Sequence, residues 1–153
     1  MKYTPKFVNN LAPNEIFVYG ANEAGIHGAG AARTAVRWGA EYGKHGFKGQ
    51  TYGIPTKDAN IETISVNKIK AYVDSFLIFA MQHPELTFLV TPIGTGLAGY
   101  EPEDIAPLFS EALDIKNVLL PAEFATLLVG RPVKNKHTAR ASRRDLRSNY
   151  EQE

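Results

Sequence analysis

The chain has 153 residues, 44% of them hydrophobic and 22% charged, with no cysteine and a formal net charge of +1. Such a length and balance fit one soluble globular domain with a single sizeable core, and they exclude disulfides, thiolate metal sites and cysteine nucleophiles. No apolar run is long enough to cross a bilayer and "MKYTPKFVNN" lacks the apolar stretch of a secretory signal, so a cytoplasmic protein without membrane contact is expected.

Residues 16–19 are a short apolar run, partly β-branched and aromatic and closed by Gly20, which predicts a buried strand. It leads into "NEAGIHGAGAA", residues 22–32, with three glycines, four alanines and a single acid. From Gly30 to Gly39 the residues Ala31, Ala32, Ala35, Val36 and Trp38 can share one apolar face, predicting a first helix. "GKHGFKGQ", residues 43–50, reads as a glycine-punctuated loop, and "TYGIP", residues 51–55, as a second strand whose proline marks its end or a sheet edge. Ser65 is the expected N-cap of a long helix, because Val66, Ile69, Val73, Phe76 and Ala80 recur at three- and four-residue spacing and Pro84 stops the pattern.

"LTFLVTPI", residues 86–93, reads as a buried strand running into "GTGLAGY", residues 94–100. Pro102 then opens a short helical stretch that Pro107 can interrupt, and "NVLLP", residues 117–121, is the last expected strand. Strands alternating with helices predict an α/β fold in three α/β/α layers around a mostly parallel, mixed sheet.

Charge divides the chain in two. Residues 131–153 hold 7 Lys/Arg against 3 Asp/Glu, a balance of +4, whereas residues 1–130 hold 10 against 13, a balance of −3. The basic segment has few large apolar residues and no clear periodicity, so a folded domain over 1–130 and a flexible tail over 131–153 are expected. Clustered Arg and Lys could contact phosphates, including those of nucleic acid, without sequence specificity, since only Tyr150 there could stack a base.

Both glycine-rich segments follow strands and precede helices, which in open α/β sheets places them at the carboxyl edge where ligands bind. Backbone N–H groups in such loops suit phosphate, although tight turns and close helix packing also use small residues. "GANEAGIH" has the first glycine spacing of a P-loop, but Ile26 and His27 stand where lysine and a hydroxyl residue would hold phosphates and Mg²⁺. "GTGLAG", residues 94–99, formally fits a dinucleotide fingerprint, yet Pro102 falls where that fingerprint's helix is already running.

"GANEAGIHGAGAARTA" resembles the first ligand loop of macrodomains, and "PIGTGLAGY" is similar to their second, in the compact branch with an "IGxGL" loop. "YGIPTK" resembles the strand before that branch's central helix, so the likeness spans roughly residues 14–120; uncharacterised bacterial and phage proteins also look similar. The resemblance implies that ADP-ribose or a related NAD-derived nucleotide, free or carried by a target, binds between the loops. It implies that Asn22 contacts a ribose and that Tyr100 packs against a ribose or the loop. It further implies that the backbone of residues 27–31 (His27, Gly28, Ala29, Gly30, Ala31) and 94–99 (Gly94, Thr95, Gly96, Leu97, Ala98, Gly99) holds the diphosphate. Gly20, Ala21, Lys57 and Ile93 complete the expected binding set, with no metal and no required cofactor.

The family's catalytic groups are not matched. Ala32 stands where hydrolytic macrodomains place an aspartate at the start of the first helix, and Ala98 where the compact branch has its loop aspartate. An alanine can neither carry a proton nor attack a ribose carbon. His27 is the remaining candidate for general-base chemistry, with a phosphate contact or a structural role as its alternatives. Lys57 could pair with phosphate or be solvated, Asp58 suits a turn, and His45, His83 and His137 share no metal-ligand spacing. Three readings follow: a nucleotide-binding domain, an ADP-ribosyl or phosphate hydrolase of the same fold, and a nucleic-acid-associated protein acting through its tail.

Overall fold

A computed structural model describes residues 2–130. The order is β1 (Tyr3–Thr4), β2 (Glu15–Asn22), α1 (Gly30–Ala35), β3 (Gly46–Lys48), β4 (Thr51–Lys57), α2 (Val66–Gln82), β5 (Thr87–Val90), α3 (Pro102–Ile105), β6 (Val118–Pro121) and α4 (Ala122–Val129). α1 continues into a 3-10 turn, Val36–Trp38, and α3 into a 3-10 stretch, Ala106–Asp114. The expected basic tail, 131–153, lies outside the described residues.

The strands form one sheet in the order β1-β6-β5-β2-β4-β3, parallel at every pairing except β3 with β4. The fold is thus α/β with a mostly parallel mixed sheet and helices on both faces. β2 is central because its apolar residues serve two cores. Ile16 and Val18 join Ile54, Phe88 and Val90 under α2, the 3-10 stretch and α4, whereas Phe17, Tyr19 and Ala21 pack with Ala32, Ala35 and Ala40 on the other face.

α2 follows its sequence pattern closely. Ser65 Oγ accepts from the Lys68 N–H at 3.2 Å, and the helix ends at Gln82, just before Pro84. Ile69, Val73, Phe76 and Leu77 are fully buried, contributing on the order of 1.5–3 kcal/mol each before conformational entropy is set against them.

Several elements differ from expectation. The first helix keeps α geometry only to Ala35, and Val36, assigned to its apolar face, is 51% exposed. Residues 43–50 are not all loop: Gly46–Lys48 pairs antiparallel with β4 as an edge strand. β4 is therefore internal and runs two residues past Pro55, whose missing N–H is harmless because β3 pairing stops at Gly46↔Gly53. β5 is shorter than its apolar run, ending at Val90. Near Pro107 the chain changes to 3-10 geometry, with a break at Phe109 (φ −103, ψ 15). β1 and α4 were not expected at all.

Candidate functional site

Three adjacent parallel strands, β5, β2 and β4, end at the same edge of the sheet, and the loops that follow them enclose a cleft of about 610 Å³. Its lining includes residues 20–22, 28–31, 57 and 93–98 of the expected binding set. The strand-loop-helix logic of open α/β sheets thus brings both glycine segments to one site. His27, Gly99 and Tyr100 do not line it. Ile26, Ala32, Thr56, Ile61, Thr91 and Pro92 do, though they were not in that set.

The first loop is shaped by Asn22. Its side-chain oxygen accepts from the Ile26 N–H at 3.0 Å and its amide donates to the Ile26 carbonyl at 2.9 Å, while the Asn22 carbonyl accepts from Gly25. Asn22 lines the cleft with both polar atoms of its amide already engaged in holding the loop. Behind it, the Tyr72 hydroxyl donates to Glu23, whose carboxylate also meets Lys68 Nζ at 3.2 Å. The Tyr72 bond, then Lys68, hold the Glu23 carboxyl below its ordinary range; burial, then Glu23, push the Tyr72 phenol up to about 12.

His27 points to the core rather than the cleft. Its Nε2 lies 2.9 Å from the Tyr19 hydroxyl, and burial pushes that phenol up to about 12, so Tyr19 is a neutral partner. His27 Nδ1 is buried with no partner among the described residues. This places the imidazole as a prop between loop and sheet.

The second loop is wound tightly. Thr91 Oγ1 donates to the Val18 carbonyl at 2.7 Å where β5 ends, Thr95 Oγ1 donates to the Pro92 carbonyl at 2.7 Å, and the Tyr100 N–H donates to the Gly94 carbonyl at 2.9 Å. The Gly94 φ of +78° makes this turn, and an added Cβ there would sit 3.0 Å from Ile105 Cδ1. Gly94 is thus explained by the fold.

Gly28 and Gly96 are not. Neither has a positive φ, and a Cβ added at either meets no atom within 4 Å. Neither backbone conformation nor packing requires glycine at these two positions on opposite loops. Beside them, the N–H groups of Gly28, Ala29, Gly96, Leu97 and Ala98 have no hydrogen-bond partner among the described residues. α1 begins there with no side-chain cap on Ala29.

Lys57, at the end of β4, is the sole ionisable side chain lining the cleft among the described residues, and no acidic group among them pairs with it. Unpaired N–H donors and one cation, without any carboxylate, make a surface suited to an anion. No cluster of three or more His, Asp or Glu that could hold a metal occurs among the described residues, nor does a helix long and apolar enough to cross a membrane. Neither protein-family models, nor curated proteins, nor solved structures compared with the chain match it.

Proposed function

We propose that the protein binds ADP-ribose or a related NAD-derived nucleotide, with its diphosphate between the two glycine loops, and acts as a binder rather than an efficient hydrolase. The observation that carries this reading is the pair Gly28 and Gly96, which face open space across one cleft without being needed by the fold. A side chain at either would occupy volume, and its absence lets unpaired N–H donors approach an anion closely. Lys57 supplies the compensating positive charge.

Binding is favoured over hydrolysis because no carboxylate or imidazole lines the cleft among the described residues, and His27 is engaged with Tyr19 instead. Free and protein-linked ADP-ribose share the chemistry such a cleft reads. ADP-ribose at a hundredfold excess over Kd should stabilise the fold by about 2.7 kcal/mol, raising Tm. No shift with ADP-ribose, NAD or AMP at millimolar concentration would overturn the proposal.

A further inference from the structure

The cleft has a third wall, formed by the turn between Lys57 and Thr63, which pair as an isolated antiparallel bridge. Asp58 builds that turn: its carboxylate accepts from the N–H groups of Asn60 at 2.8 Å and Glu62 at 3.0 Å, and its carbonyl accepts from the Ile61 N–H at 3.0 Å. Thr63 Oγ1 donates to the Ala98 carbonyl at 3.0 Å, fastening this wall to the second loop.

Ile61 sits in the turn with φ +64°, the sole positive φ of a non-glycine residue among those described. A β-branched side chain is poorly suited to the left-handed region, where glycine or asparagine is the usual occupant. The core does not compensate for this, since Ile61 is 41% exposed and lines the cleft. Leu97 of the second loop and Ile26 of the first line the same cleft and are exposed as well, at 74% and 38%. Each wall therefore presents one exposed aliphatic side chain to a cleft whose charge, among the described residues, is confined to Lys57.

We infer that Ile61, supported by Ile26 and Leu97, is an apolar contact for the flat face of the ligand's nucleobase, an inference that rests on the nucleotide reading above. Phosphate gains nothing from aliphatic surface, whereas the flat face of a base has no hydrogen-bonding demand and is stabilised by apolar contact. Three aliphatic side chains carry no donor or acceptor for a base edge. Recognition at this rim is of an apolar planar surface, so bases that differ only at their edges are held alike.

The test is calorimetry of ADP-ribose, with inorganic pyrophosphate as a competing probe of the phosphate site, on the unmodified protein and on Ile61→Asn. Asparagine accepts the left-handed conformation, so the variant should keep or raise Tm while its ADP-ribose affinity falls about fivefold to tenfold. Pyrophosphate affinity should not change. Ile61→Gly, which adopts the same φ with no side chain, serves if the asparagine variant does not fold. A folded variant with unchanged ADP-ribose affinity, or with pyrophosphate weakened equally, overturns the inference alone. Failure of the unmodified protein to bind ADP-ribose overturns the nucleotide reading, and the inference with it.

Discussion

The Tyr100 hydroxyl donates to the Ile64 carbonyl at 2.6 Å, tying the end of the second glycine loop to the segment that enters α2. The same residue's N–H closes the loop on Gly94, so Tyr100 supports the cleft from behind without lining it. Tyr100→Phe removes the tether alone. It should cost about 1 kcal/mol of stability and loosen residues 94–99, seen as a lower Tm and faster amide exchange across the loop.

Lys57→Ala should leave the fold intact, because no ion pair among the described residues is lost, yet lower ADP-ribose affinity at least about tenfold. The remaining binding should depend less on ionic strength than in the unmodified protein. Calorimetry at two salt concentrations checks both expectations; unchanged affinity would remove Lys57 from the anion site.

Glycine substitutions should separate turn chemistry from ligand volume. Gly94→Ala forces a Cβ against Ile105 in a left-handed turn and should cost about 1–3 kcal/mol. Gly28→Ala and Gly96→Ala should change stability by no more than about 0.5 kcal/mol, yet weaken nucleotide binding. Urea midpoints and calorimetry on the three variants provide the comparison. A strongly destabilised Gly28→Ala would return that glycine to a structural role.

The long amphipathic pattern of α2, with Ser65 before it and Pro84 after it, and the apolar run of β2 were legible because burial there follows directly from residue type and period. β3 was hidden by its glycines: Gly46 opens and Gly49 follows a three-residue strand whose pairing is decided by β4, not by its own propensity. β1, with two residues, has no readable period, and its place depends on β6 far along the chain. In the site, the two glycine loops could be found because small residues leave a compositional mark. The Ile61 wall could not, since its exposure follows from a backbone conformation that isoleucine does not signal.

The Glu23 cluster gives a pH dependence. Its carboxyl is depressed by Tyr72 and Lys68, so its stabilising contribution is present above the unfolded carboxylate pKa and is lost as pH falls through the folded value. Glu23→Gln should therefore be less stable than the unmodified protein near neutrality, and the two should converge on acidification below the ordinary value of 4.5. Urea midpoints measured across that range test the convergence; parallel curves would contradict it.

The central claim is that the first loop faces a diphosphate, and Ala29→Glu tests it most directly. Ala29 has an extended backbone, φ −156°, and already carries a Cβ, so glutamate adds volume and negative charge without demanding a new conformation. ADP-ribose calorimetry on this variant, with Tm as the control for folding, should show a folded protein without measurable binding while the unmodified protein binds. A folded Ala29→Glu that binds ADP-ribose with unmodified affinity would show that the loop does not face the phosphates.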